Sequence, residues 1–243
     1  MIDLHTHLIP NVDDGADSIE ETVRLAKAAV EEGINHVVLT PHHNKHWVEN
    51  EKNKVLELTE IVEEAINHAN IPITVSASQE IRMNDEFSEE LFAGNYLPLD
   101  KEGRYYLVEF SWREFPPFAK EYLQEMIDAG ITPVIAHPER QRPFLDDPRI
   151  LRDLIEMGCI SQVTATSIVG GYTEEIRQAA HDMMEENLIH VIASDAHNVI
   201  ARPFNMVNAL DIVEEEYGVS YKDYVVTNAK NIFLSKDVEE FKA

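Results

Sequence analysis

The chain has 243 residues with 20 Lys+Arg against 45 Asp+Glu, a formal net charge of −25, and 44% hydrophobic residues. Length and composition suit a soluble globular protein with a substantial core, while the charge disfavours nucleic acid or anionic lipid as a partner. The opening residues lack a signal-peptide pattern and no apolar run has membrane-span length, so a cytoplasmic protein without membrane insertion is expected.

Seven short apolar runs, rich in β-branched residues, recur along the chain and read as buried parallel strands. "MIDL" leads into His5 and His7, which share a face because strand side chains alternate with period two, and Asp13 and Asp14 follow. "DSIEETVRLAKAAVEEG" predicts a helix with Ile19, Val23, Ala26 and Val30 on its apolar face, a capping box of Ser18 and Glu21, and Gly33 at its C-terminal cap. "HVVLTP" from His36 precedes His42 and His43. A second helix presents Leu58, Ile61, Val62, Ala65 and Ile66, and "PITVSAS" from Pro72 then leads to Glu80. After an expected loop over 95–104, "YYLVEF" from Tyr105 reaches Glu109, and "TPVIAHP" from Thr132 reaches His137. "ISQVTATS" from Ile160 is the sixth run, and "HVIASDAH" from His190 ends at Asp195 and His197, ahead of an expected helical tail over 217–243.

Strands alternating with helices about thirty residues apart predict βαβ units and a parallel sheet. No Gly/Ser-rich or Pro-rich linker interrupts them, so residues 1–243 read as one domain, an α/β chain best described as a distorted (β/α)7 TIM-like barrel, with a doubly wound open sheet as the alternative. In such barrels the C-terminal strand ends form the active face, which gathers these imidazoles and carboxylates on one rim. His36 and His190 precede their strands, fall on the opposite face and read as structural. So many buried polar groups are costly without compensation, and a polynuclear metal site compensates them together. Imidazole and carboxylate without thiolate suit Mn, Fe or Zn, with Glu80 as the candidate bridge between ions. Lone Cys159 rules out an intramolecular disulfide framework and reads as a buried apolar side chain; Ala165 stands six residues after it, where a cysteine-nucleophile tyrosine phosphatase has Arg.

"HTH", "LTPHHN", "QEIR", "VIAHPER" and "SDAHN", in this order, resemble the polymerase-and-histidinol-phosphatase (PHP) superfamily, specifically its manganese-dependent protein tyrosine phosphatases encoded beside capsule and exopolysaccharide genes in Gram-positive bacteria. The resemblance runs from residue 1 to about residue 235 and implies three metal ions, Mn2+ with Fe or Zn as alternatives. It implies His5, His7, Glu80 and Asp195 around the first ion, Glu80, Glu109 and His137 around the second, and Asp14, His42 and His197 around the third. Asp14 matches the motif better than Asp13. The implied partner is an autophosphorylated tyrosine kinase of the polysaccharide export system.

The expected chemistry is in-line attack on phosphorus by a metal-bridging hydroxide without a phosphoenzyme, with Arg140 and Arg202 gripping the phosphoryl group. A phenolate leaving group needs modest protonation help, for which His43 is the candidate, and Trp112, Phe115 and Tyr172 are candidates to line an opening for a tyrosyl ring. Arg82 and Arg142 read as surface ion-pair partners. The main alternative keeps the metals and changes the substrate to histidinol phosphate or another small phosphomonoester. A PHP-type nuclease is disfavoured by the charge, and an amidohydrolase by the lack of a lysine ending any predicted strand. A phosphotyrosine-binding protein without catalysis would be expected to lack ligands, and none is missing.

Overall fold

In a computed structural model that describes residues 1–44 and 48–241, the chain forms an α/β fold in which every paired strand is parallel. Strands β1 (Ile2–Thr6), β2 (His36–Leu39) and β4 (Thr74–Ala77) form one sheet in the order β1-β2-β4. The other sheet runs β3 (His42–His43), β5 (Glu80–Arg82), β6 (Tyr105–Glu109), β7 (Thr132–Ala136), β8 (Ile160–Thr164) and β9 (Val191–Ala193). The seven predicted runs thus yield nine strand segments among the described residues, because the His36 and Pro72 runs are each interrupted before their functional residues. Hydrogen bonding crosses the interruption: Ser78 N–H donates to Leu39 O (2.8 Å) and Glu80 N–H to Pro41 O (3.1 Å). The two sheets also touch beyond β1 and β9, where Thr6 bridges Ala196 and His7 N–H donates to Ala196 O (2.9 Å).

Helices connect the strands, among them α1 (Ile19–Glu31), α2 (Lys52–His68), α3 (Phe87–Phe92), α4 (Ala119–Asp128), α5 (Arg142–Asp146), α6 (Arg149–Met157), α7 (Ala165–Ile168), α8 (Glu174–Glu185), α9 (Met206–Tyr217) and α10 (Val219–Phe233). Helix α1 starts where predicted: the Ser18 hydroxyl accepts from Glu21 N–H. Its C-terminus closes in a Schellman arrangement, with Ile34 N–H donating to Ala29 O and Gly33 N–H to Val30 O. Its buried face is Thr22, Leu25, Ala26 and Ala29, with Val23 and Val30 only flanking it. Likewise α2 buries Val55, Val62 and Ile66 along one i, i+7, i+11 line, and Ile61, a residue off that line, is half exposed. The run from Ile160 ends early as a strand, since Ala165 already starts α7. The segment 95–104 contains no helix or strand, and the expected helical tail splits into the end of α9, α10 and an irregular stretch, its last two residues lying outside the described ones.

One large apolar cluster joins strand side chains to α1, α2, α4, α6, α8 and α9, and a smaller one sets Leu4, Val38, Leu107, Val134 and Val191 against Ala229 and Ile232 of α10. His36 sits at the N-terminal strand end, bonded to the Thr74 and Ser76 hydroxyls, and His190 accepts from Ser161 N–H. Burial pushes both imidazoles down to about 4. Between pH 6.5 and 4 the unfolded chain therefore binds protons that the folded one refuses, so stability falls as the pH falls. His190→Gln should flatten the dependence of the urea midpoint on pH over that window, recovering up to roughly 3 kcal/mol at the acidic end; a slope identical to the parent protein's would remove His190 from this account.

Candidate metal centre

The strand ends bring His5, His7, His42, Glu80, Glu109, His137, Asp195 and His197 together, all buried. Strand alternation places His5 and His7 on one face, and their Nε2 atoms lie 3.1 Å apart. Each ring is oriented from behind: His5 Nδ1 donates to Gln162 Oε1 (2.8 Å) and His7 Nδ1 to Asp13 Oδ2 (2.8 Å). Those bonds leave both Nε2 lone pairs facing inward. They meet Asp195 Oδ1 at 3.4 and 3.2 Å and Glu80 Oε2 at 3.3 and 3.5 Å. Four electron-pair donors around one point call for a cation.

Glu80 is fully buried at the start of β5, opposite His42 of β3 in the sheet register. Its Oε2 lies 2.6 Å from His42 Nδ1, and its Oε1 accepts from His137 Nε2 at 2.6 Å. His137 takes a left-handed backbone conformation (φ 34°) directly after β7, and Asp195 does the same (φ 53°) after β9. These kinks turn each side chain back toward the site as its strand ends. Asp14 lies on the outer side, with Oδ1 3.1 Å from His42 Nε2 and 3.4 Å from His197 Nε2. The neighbouring aspartates therefore do different work: Asp14 faces two ring nitrogens, and Asp13 holds His7 and the backbone N–H of His42 and Gly15.

The electrostatics fit metal binding. Burial alone would strip charge from the imidazoles, yet Glu80 and Asp195 lift His5 to about 9, and Glu80 with Asp14 lifts His42 to about 10. Against the same desolvation, His42, His5 and His137 hold Glu80 well below the usual carboxylate range, and Arg140, His5 and Arg202 do so for Asp195. The site thus collects positive charge, as protons here and equally well as metal. Among the described residues, three groups have ligand atoms close enough to share an ion: His5, His7 and Glu80; His7, His42 and His197; and His42, Glu80 and Glu109.

Two arginines border this cluster. Arg140 bonds Asp195 Oδ2, and Arg202 spans Asp195 Oδ2 (2.8 Å) and Asp14 Oδ2 (3.2 Å). A third was read differently from sequence: Arg82 is no surface residue but a bidentate partner of Glu109, at 2.9 and 3.0 Å. Arg82 lies two residues beyond Glu80 in "QEIR", so alternation already put both on one face. Glu109, so held, lies 4.0 Å from His42. Arg142 is the expected surface residue, paired with Asp146 and Glu175. His43 is not brought to the cluster. As the neighbour of His42 on β3 it points the other way, lying edge-on to Tyr96 and 3.7 Å from Glu49. Of the aromatics, Phe115 packs on Phe110 and Phe144, Trp112 is half exposed, and Tyr172 lies under Arg140.

Residues 1–234 match the family model described as Capsular polysaccharide synthesis, CpsB/CapC. The chain is 36% identical over 234 residues to tyrosine-protein phosphatase YwqE of Bacillus subtilis, covering 96% of this chain and 91% of that protein. It is 31% identical to tyrosine-protein phosphatase CpsB of Streptococcus pneumoniae, over 97% of this chain and 99% of that one. Its structure superposes with a TM-score of 0.96, at 34% identity and covering 99% of this chain and 97% of the other, on a chain from the crystal structures of YwqE and S. pneumoniae CpsB, described as unique metal-dependent tyrosine phosphatases.

Gly15 closes the turn that returns Asp13 beneath His7, and a Cβ there would lie 2.2 Å from the His7 carbonyl oxygen and 2.5 Å from its Cβ. Gly15→Ala should therefore displace His7 and lower the metal bound per chain, read by elemental analysis, while far-UV circular dichroism stays unchanged. Full metal content in a folded variant would show that His7 placement is dispensable.

Proposed function

This chain belongs to the CpsB/CapC capsular polysaccharide synthesis family, and we propose that it is a metal-dependent protein-tyrosine phosphatase acting in capsular or exopolysaccharide synthesis. The observation that carries the reading is the pairing of a multi-imidazole, multi-carboxylate cluster with two arginines on its border. We read residues 1–243 as one PHP-type domain and its strands as a distorted seven-fold βα barrel, a reading supported by the contacts of Thr6 and His7 with Ala196.

His5, His7, Glu80 and Asp195 would hold one ion, Glu80, Glu109 and His137 a second, and Asp14, His42 and His197 a third. The convergence of the first and third sets supports this division. Glu109 fits less directly, being engaged by Arg82 and nearer to His42. The nitrogen and oxygen donors without thiolate suit manganese, with iron or zinc as alternatives. Metal ions held here supply Lewis acidity at the phosphoryl oxygens and hydroxide at neutral pH.

The protein's own part is orientation and charge. Arg140 is anchored to Asp195 and Arg202 to both Asp195 and Asp14, and the buried Nε of Arg202 has no hydrogen-bond partner among the described residues. A phosphoryl group beside them would accept the remaining N–H groups. Phenolate leaves readily, with a pKa near 10 for its conjugate acid, so the placement of His43 away from the cluster leaves the reaction without a missing part. The substrate we infer is the phosphorylated tyrosine kinase of a polysaccharide export system, met in the cytoplasm. No helix among the described residues is long and apolar enough to cross a membrane.

The test compares phosphate release from a phosphotyrosine peptide, a phosphoserine peptide and histidinol phosphate, with manganese and after chelation. Manganese-dependent release that prefers phosphotyrosine is expected, and Arg202→Ala should lower kcat/KM at least tenfold, the worth of one charge-assisted hydrogen bond. Preference for histidinol phosphate would transfer the site to a small-molecule substrate, and activity that survives complete metal removal would overturn the metal assignment.

A further inference from the structure

Tyr172 lies between α7 and α8, in the sequence "GGYT". The loop that carries it is tightly drawn: Gly171 N–H donates to Thr166 O (2.9 Å), and a Cβ on Gly171 would lie 2.6 Å from the Thr166 methyl carbon. Only glycine permits that approach, which brings the next residue over the site. There the Arg140 guanidinium carbon lies over the Tyr172 ring, 5.1 Å from its centroid, a cation–π contact. Arg140 and Arg202 meet on the same Asp195 Oδ2, so the Arg202 guanidinium borders the same place.

The hydroxyl of Tyr172 is buried and has no hydrogen-bond partner among the described residues. The same is true of Arg202 Nε. A phenol can donate or accept, whereas a guanidinium only donates. Tyr172 therefore offers a donor beside two cationic groups that cannot receive it, and a buried donor of this kind is costly unless an acceptor arrives. Three donor groups around one place describe an anion with several acceptor oxygens.

We propose that Tyr172 is a third phosphoryl-binding residue of this site: its hydroxyl donates to an oxygen of the substrate's phosphoryl group while its ring holds the Arg140 guanidinium in place. The inference rests on the phosphatase reading above and adds to it a residue that neither contacts the metal cluster nor carries a formal charge. It also gives Gly171 a purpose, since a wider loop would lift the Tyr172 ring away from Arg140.

The two roles separate by substitution. Tyr172→Phe keeps the ring contact and removes the donor; Tyr172→Ala removes both. With manganese-loaded protein, orthophosphate binding is measured by calorimetry and as competitive inhibition, beside kcat and KM for p-nitrophenyl phosphate and a phosphotyrosine peptide. Tyr172→Phe should weaken orthophosphate and raise KM roughly 10-fold or more, equally for both substrates, with metal content and thermal midpoint unchanged. Tyr172→Ala should lose more, because Arg140 is then free to turn. If Tyr172→Phe binds orthophosphate as the parent does, the hydroxyl has no part in phosphoryl binding and the proposal fails, whatever Tyr172→Ala does. If the parent protein, fully metal-loaded, neither binds orthophosphate nor hydrolyses either ester, the phosphatase reading fails first and this inference with it.

Discussion

The Glu80 carboxylate is the interaction on which the rest of the site depends. It is fully buried, with imidazole nitrogens of His42 and His137 at 2.6 Å and those of His5 and His7 within 3.5 Å. An isolated carboxylate in that position would be strongly disfavoured and would take up a proton. Here it stays ionised because positive charge surrounds it on every side that the strands present. Removing one imidazole leaves the buried carboxylate less well compensated, so each histidine supports the setting of the others. The fold answers this demand by spending several strand ends on one point, while the apolar clusters beneath carry the stability that a polar rim cannot supply.

Much of this could be read from the chain, because strand alternation and the position after a strand are both written in sequence. The shared face of His5 and His7 and the positions of Glu80, His137 and Asp195 at or after strand ends follow from those two rules. The same rule, applied further, would have retrieved Arg82 from its spacing to Glu80, and would have set His43 apart from His42. What alternation cannot give is distance. Asp13 and Asp14 are neighbours in a turn, and only their contacts show one bracing His7 and the other facing His42 and His197. Gln162 and Asp3 are not legible in sequence for a related reason. Each is a polar residue inside an apolar strand, and its partner, His5 Nδ1 or Ser194 N–H, lies far away in the chain. Helix faces suffered in the same way: Val55 against Ile61 in α2 is decided by which neighbour the helix meets.

Asp195 joins the two halves of the site. Its Oδ1 faces His5 and His7, and its Oδ2 is shared by Arg140 and Arg202. One carboxylate thus takes part in the group that would hold metal and anchors the groups that would hold phosphate. An anion drawing the arginines toward itself would leave more of the Asp195 charge to the histidine side, and a cation among the histidines would in turn loosen the arginines. Occupancy of either half would then be felt by the other, since any such coupling is reciprocal by thermodynamic necessity.

The contact between β1 and the turn after β9 has a consequence for how the molecule comes into being. Ser194 N–H donates to Asp3, 191 residues earlier, and Asp195 N–H donates to the His5 carbonyl. During synthesis the first histidines leave the ribosome long before the residues that complete their surroundings, and domains emerge in that order at a finite pace. Closing so long a span is entropically slow compared with forming the helices between. The centre is therefore expected among the last features to assemble, and a chain interrupted between His137 and Asp195 carries most of the ligands without the geometry that joins them. Metal retention would then report that synthesis had passed Asp195 and His197.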